Sequence, residues 1–241
     1  MSSKKWDKSA ENYYDDVISP IKNSINNPLD QDLKKLKGKI VDIGCGIGEL
    51  VENLSKQFDE VHAWDYSENM IEKAKEKNSK VENVFFEVKD TTKLKEKEKF
   101  DVALSINSLL EPNIVKLNKM IKNIYRTIKT SGTFICIVPS LESYIYQEII
   151  ANEKKLLGKN IPKEDEFSKN KINFIDGTIT FEGEKQKAFY RFEMLYRLEK
   201  NGFKNIEISK IKYHWKDWFD AGQRYFPTEK EPWDWYVKCK K

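Results

Sequence analysis

The sequence predicts a three-layer α/β fold built on a mostly parallel sheet, and three observations predict it. Short β-branched runs alternate with segments of helical period up to Pro139, a glycine cluster follows the first of those runs, and 39% hydrophobic with 12% aromatic residues is ample for a core. Strands separated by helices pair in parallel through right-handed crossovers.

The elements follow in order. Lys39 to Ile43 (KIVDI) reads as the first strand, with Leu50, Val51, Leu54 and Phe58 at helical spacing behind it. Glu60 to Trp64 is the second strand, and Ser67 caps a helix to Lys77 that buries Met70, Ile71 and Ala74. Asn83 to Val88 and Phe100 to Ile106 are the third and fourth strands. Asn113 to Lys129 carries Ile114, Leu117, Ile121, Ile124, Tyr125 and Ile128 on one helical stripe. Thr130-Ser131-Gly132 then turns the chain into a fifth strand, Thr133 to Val138. Past Pro139 the rhythm breaks: a helix over 141–157, a charged stretch to Lys171 and a strand over 172–181. Arg191 to Lys200 resumes a helix, stopped at Asn201-Gly202, and Phe203 to Ser209 and Trp233 to Cys239 supply two late strands.

Composition excludes several classes. The 241 residues carry 43 Lys and Arg against 39 Asp and Glu, a net charge of +4, which is too balanced for a dedicated nucleic-acid binder. Only four residues are arginine, at 126, 191, 197 and 224. The longest apolar run, Phe134 to Val138, is far below the about 20 residues that span a bilayer, and MSSKKWDKSAEN has no signal-peptide core. Cys45, Cys136 and Cys239 form no CxxC pair and read as buried thiols, so a reduced, cytoplasmic chain is expected. No cluster of His, Cys and carboxylates has metal-ligand spacing, so no metal is expected.

Chemistry concentrates at Val41-Asp42-Ile43-Gly44-Cys45-Gly46-Ile47-Gly48. Glycines between a strand and a helix let a ligand lie against bare backbone and the helix N–H groups. The Gly-Lys-Ser/Thr ending of a P-loop is absent, and Glu49 occupies the third glycine position of a dinucleotide fingerprint, where it would oppose a pyrophosphate. Asp-x-Gly-x-Gly-x-Gly suits a cationic nucleoside without phosphates.

With these residues the chain resembles the class I S-adenosylmethionine-dependent methyltransferases of the small-molecule type over nearly its whole length. Asp42, Gly44, Gly46 and Gly48 match that family's glycine loop; Asp65, in AWDYS, matches its ribose-gripping acid, and Asp90, in VKD, its adenine-binding acid. Two hydroxyl donors suit an acceptor-only carboxylate. The resemblance implies a Rossmann-like sheet of seven strands with the last antiparallel, helices on both faces and a cap insertion. It divides one domain into an N-terminal lid (1–37), a cofactor-binding core (38–140), a cap (141–190) and a C-terminal helix with strands (191–241). It further implies that Ser105 to Asn107 face the cofactor's methionine part and that Tyr13 or Tyr14 approaches its carboxylate. The usual Pro-Gly-Gly turn is Thr-Ser-Gly here.

Each residue also has a plainer role. Gly44 and Gly46 suit a tight turn, Asp65 a helix start and Asp90 a cap. Tyr66 and Met70 either pack on adenine or fill the core, and Trp6, Tyr13 and Val17 could simply dock an amphipathic helix. His62 lies in a strand and reads as structural. His214 is the one sensible histidine base, with a surface role as its alternative. The cap aromatics Tyr144, Tyr146, Phe174, Phe181, Phe189 and Tyr190, together with Arg191 and the tryptophan-rich tail, either line a pocket or pack a cap core. The expected reaction is in-line methyl transfer to an O or N atom of a small molecule, by a monomer or homodimer. An RNA or protein methyltransferase and a non-catalytic cofactor-binding subunit are the other classes. Ile106-Asn107-Ser108-Leu109 lacks the Pro-Pro-aromatic motif of enzymes that methylate exocyclic amino groups.

Overall fold

The computed structural model describes residues 20, 22–158, 172–181, 184–218, 226 and 228–241. Tyr13 and the rest of the segment 1–19, along with the cap and tail positions 159–171 and 219–225, lie outside the described residues.

The chain runs α1 (Leu29–Leu33), β1 (Lys39–Ile43), α2 (Val51–Ser55), β2 (Glu60–Asp65), α3 (Glu68–Lys77) and β3 (Val84–Val88). It continues through β4 (Phe100–Ile106), α4 (Ile114–Thr127), β5 (Ile128–Pro139) and α5 (Leu141–Leu156). Three short strands follow, β6 (Ile172–Asn173), β7 (Thr178–Phe181) and β8 (Glu184–Lys187), then α6 (Arg191–Lys200), β9 (Lys204–Lys212), α7 (Trp215–Trp218) and β10 (Trp233–Lys240).

Seven strands form one sheet in the order β3-β2-β1-β4-β5-β10-β9. The first five are parallel, and β10 runs antiparallel to both β5 and β9. This is the sheet the sequence predicts. Strands with both faces covered need apolar residues on both, and β1 buries Ile40, Val41 and Ile43. On one face Leu117, Ile121 and Ile124 of α4 and Met194 and Leu198 of α6 pack over Val41, Phe134, Cys136 and Trp235. On the other, Leu29 and Leu33 of α1 and Leu50 and Leu54 beside α2 cover Ile40, Leu104, Ile135 and Tyr236. Two helix starts follow the predicted chemistry. Ser67 Oγ accepts the Met70 N–H, and Asn113 Oδ1 accepts the N–H groups of Val115 and Lys116.

Two elements differ from the sequence expectation. Residues 172–181 are two strands joined by a turn, because Gly177 takes φ +60 and Asn173 Oδ1 accepts the Ile175 and Asp176 N–H groups. Thr130-Ser131-Gly132 lies inside β5 as a bulge, with Ser131 at φ +66 and a register shift against β4.

The β6–β8 sheet is tied to the main body. The Lys187 N–H donates to Leu110 O at 2.9 Å, and its buried ammonium bonds Asp176 O at 2.8 Å and Glu193 Oε2 at 2.9 Å. Burial pushes the Lys187 pKa down, and Glu193 opposes that shift. The three cysteines are buried free thiols. No helix among the described residues is long and apolar enough to cross a membrane.

Candidate active site

Parallel strands end together, and ligands of open α/β sheets settle outside those ends where the strand order reverses. Here the reversal lies between β1 and β4. The loop after β1 turns sharply. The N–H groups of Gly44 and Cys45 both donate to Trp64 O, at 2.7 and 2.9 Å, and Gly44, Gly46 and Gly48 sit at φ +76, +54 and +73. Side-chain-bearing residues pay for that region, so glycine is required. Gly44 has a second reason: an added Cβ would stand 2.2 Å from Ser108 Cβ.

Asp65, ending β2, is held by two backbone donors. The Gly46 N–H reaches Oδ2 at 3.0 Å and the Ser67 N–H reaches Oδ1 at 2.9 Å. The carboxylate thereby braces the middle of the glycine loop and the start of α3 together. Asp42 lies beneath the loop, 4% exposed, with no hydrogen-bond donor to its carboxylate among the described residues. Burial first, and the nearby Asp65 charge second, push its pKa up to about 7. The same burial, with Asp42 and Asp65 adding to it, raises the Cys45 thiol well above its ordinary value, so Cys45 stays protonated and unreactive.

Asp90 follows β3 and caps the 3-10 turn Thr91–Lys93. Its Oδ1 accepts the Thr92 N–H at 2.9 Å and the Thr92 hydroxyl at 2.6 Å, and Lys93 Nζ lies 3.1 Å from Oδ2. Partial burial opposes the charged form, but the Thr92 and Lys93 contacts prevail and hold the pKa below its usual value. Tyr66 and Met70 part company: Tyr66 is 47% exposed beside Asp65, whereas Met70 is 1% exposed in the core under α3.

At the end of β4, Ser105 is buried and its hydroxyl lies 2.6 Å from that of Ser108, which donates to Ile43 O at 2.6 Å. Ser108 has only one hydroxyl hydrogen, so Ser105 is the donor between them. This web stitches β4 to β1 beneath Gly44. The sequence reading did not single out Ser108; the signal was Gly44 itself, whose missing side chain leaves room for it. Asp234, opposite Pro139 at the start of β10, is a second residue that reading missed.

The remaining sequence candidates stand apart. His62 is buried, its Nε2 2.6 Å from Glu60 Oε1 and its ring stacked on Phe85. His214 is exposed after β9, three strands from β4 and so about 14 Å across the sheet. Among the cap aromatics Phe189 is core, Tyr146 packs on Trp215 and Trp233, and Phe174 is exposed. Among the described residues no group of His, Cys, Asp and Glu could hold a metal.

A family profile described as a methyltransferase domain matches residues 40–132, the stretch that contains the glycine loop, Asp65, Asp90 and the end of β4. The chain carries a class I S-adenosylmethionine-dependent methyltransferase domain. Among known proteins, the malonyl-[acyl-carrier protein] O-methyltransferase of Bacillus anthracis is 27% identical over 186 residues, 73% of this chain and 67% of that protein. The demethylmenaquinone methyltransferase of Leptospira interrogans is 38% identical over 104 residues, 40% of this chain and 41% of that protein. The chain therefore spans no more than about two thirds of the length of either. The S-adenosylmethionine-dependent methyltransferase of Mesorhizobium loti shares the fold at TM-score 0.62, with 18% identity, 89% of this chain covered and 96% of that one. S-adenosylmethionine is the cofactor of this methyltransferase domain. The residues present suit it: a buried carboxylate lacking a donor and a side-chain-free loop answer a cation that must approach the backbone.

Proposed function

We propose that this chain moves a methyl group from S-adenosylmethionine to an oxygen or nitrogen atom of a small molecule. The observation that carries the reading is the pairing of Asp65 with the glycine loop at the sheet's switch point, with Asp42 below them. Relatives named for O-methyl transfer support an oxygen acceptor. The β6–β8 sheet, whose Lys187 N–H bonds Leu110 O on the loop after β4, adds a wall on that side that suits a small one better than a polymer.

In this reading the residues divide the work. Asp65 accepts hydrogen bonds from both ribose hydroxyls, and the Gly46 and Ser67 N–H groups hold it in the required orientation. Gly44, Gly46 and Gly48 admit the nucleoside against the backbone. Asp42 supplies negative charge beneath the cationic end of the ligand. Asp90 presents its carboxylate toward the adenine amino group, and Tyr66, standing out from the loop, covers the adenine face. Ser105 acts through Ser108, keeping the end of β4 at its distance from β1. Tyr13 would close over the methionine carboxylate. The bound cofactor supplies an electrophilic methyl on its sulfonium, so the chain need only align the acceptor in line and exclude water. His214, far along the edge, is given no step.

Calorimetric titration with S-adenosylmethionine, S-adenosylhomocysteine and NAD tests this. Micromolar binding of the first two without the third is expected. Binding of NAD alone, or of none of them by folded protein, refutes it.

A further inference from the structure

The outer face of α4 carries no acid. Between Glu111 and Glu142 the sequence has no Asp or Glu, yet it holds Lys116, Lys119, Lys122, Arg126 and Lys129, in a chain whose two signs are otherwise nearly equal in number. The first four are on α4. At about 100° per residue they all fall on the side away from Leu117, Ile121 and Ile124, which pack on the sheet. Lys116, Lys119 and Lys122 are exposed and make no ion pair among the described residues.

Helix α6 lies beside α4, with the Arg197 guanidinium donating to Asn118 Oδ1 at 2.7 Å. Each of these helices feeds a strand that runs parallel to β1, β5 for one and β9 for the other, so both start at the ligand edge and run away from it. At that edge the exposed residues are apolar. α4 opens with Ile114 and Val115, α6 with Phe192 one turn before Tyr196, and the β6–β7 turn lifts Phe174 and Ile175, the latter 95% exposed. The turn and α6 are joined: Tyr190 stacks on Phe192 at 5.0 Å, and its hydroxyl donates to Phe174 O at 3.3 Å. An apolar rim at the ligand edge therefore grades into a basic field behind it. Of the two α6 acids, Glu193 is committed to Lys187 and Arg197, which leaves Glu199 exposed beside Lys200.

We infer that this face docks on an anionic lipid bilayer, the apolar rim entering the headgroup layer and the lysines lying over the lipid charges. The kind of cation favours lipid over protein as the occupant. Lysine is depleted at protein–protein interfaces, because its strongly hydrated ammonium resists being dried. A lipid surface leaves that ammonium in water and still attracts it. The shape of the rim agrees: a side chain as exposed as Ile175 needs a matching pocket on a rigid partner, whereas a fluid layer closes around it. Such attachment lies in the interface and needs no spanning helix. The consequence for chemistry rests on the methyltransferase reading above. A chain docked this way turns its ligand edge toward the lipid, so the methyl acceptor is an amphiphile drawn from the bilayer.

Vesicle sedimentation with the full chain tests this. Binding is expected to vesicles of equal parts phosphatidylglycerol and phosphatidylcholine, weakening as salt is raised, and not to phosphatidylcholine alone. Lys119→Gln with Lys122→Gln should weaken partitioning by more than about tenfold. Ile175→Ser should weaken it about fivefold. All three side chains point into solvent, so S-adenosylhomocysteine affinity and thermal midpoint should stay as in the unaltered chain. No binding to the anionic vesicles overturns the inference. Equal binding to neutral vesicles also overturns it, as do variants that partition like the unaltered chain. Soluble polyglutamate that binds as well as the anionic vesicles would make an acidic polypeptide the occupant and overturn it too. S-adenosylhomocysteine titrated into the same samples separates the two readings: lipid binding without it refutes the cofactor assignment alone, and its binding without lipid refutes the docking face alone.

Discussion

The two halves of the sheet's ligand edge are built differently. On the β1–β2–β3 side, the polar side chains find their partners close by. Asp65 takes N–H groups from the adjacent glycine loop and from Ser67, and Asp90 takes Thr92 and Lys93. On the β4–β5–β10–β9 side the partners come from far along the chain. Tyr213 donates to Asp234, Ser143 Oγ accepts the Trp233 N–H across 90 residues of sequence, and Trp235 Nε1 donates to Glu142 across 93. In the proposed reading the near side holds the cofactor, and contacts this close in sequence can be encoded in short motifs. The far side is left to the acceptor in that reading, and its polar groups are set by how β10 inserts between β5 and β9.

The strongest way to break the near side is at Gly44. Gly44→Val sets a side chain against Ser108 at a positive φ, and it should cost about 2–4 kcal/mol in urea unfolding and abolish S-adenosylhomocysteine binding. Stability and affinity like those of the unaltered chain would show that the loop does not hold this shape. Next comes Asp65→Ala, which removes the acceptor of the Gly46 and Ser67 N–H groups together with the proposed ribose grip. A roughly 10- to 100-fold loss of S-adenosylhomocysteine affinity is expected, with some loss of stability because the two backbone donors are orphaned. Undiminished affinity would move the ribose elsewhere.

Proton linkage sharpens the comparison, since each half buries one carboxyl whose pKa is pushed up to about 7. A cationic cofactor favours ionised Asp42, so below pH 7 binding must first expel a proton. Affinity for S-adenosylmethionine should therefore rise up to about tenfold from pH 6 to pH 8, with proton release visible in buffers of different ionisation enthalpy. Asp42→Asn should flatten the profile; a slope that survives the substitution assigns the proton to another group. The smallest effect lies on the far side. The folded chain holds a proton on Asp234 that the unfolded chain has already lost above about pH 4, so this group's contribution to stability falls as pH rises through 7. Asp234→Asn should thus be relatively more stable at pH 8 than at pH 6, by about 1 kcal/mol in the difference. Equal changes at the two pH values would mean that Asp234 does not titrate in that range.

Legibility in the sequence followed the same divide. Strand β1, helix α3 with its Ser67 cap, strand β4 and helix α6 lie where hydrophobic period and capping residues place them, because those signals act within a few residues. The turn inside 172–181 was missed because alternation continues through it, and the bulge in β5 because its turn residues look like a strand boundary. Tyr66 and Met70 could not be separated by spacing, since both flank the same cap; only packing under α3 put one in the core and left the other in solvent.

By itself, the sequence determined the parallel α/β order, the glycine loop and the acids that end β2 and follow β3, all of them consequences of local backbone preference and short-range hydrogen bonding. The tertiary structure alone decided that Ser108 fills the space Gly44 leaves, that the Asn107 oxygen is stranded without a donor and that Asp234 is buried against Tyr213. Those outcomes depend on which distant segments close over a side chain. Burial and the loss of water's hydrogen bonds belong to the assembled chain and to no stretch of it read alone.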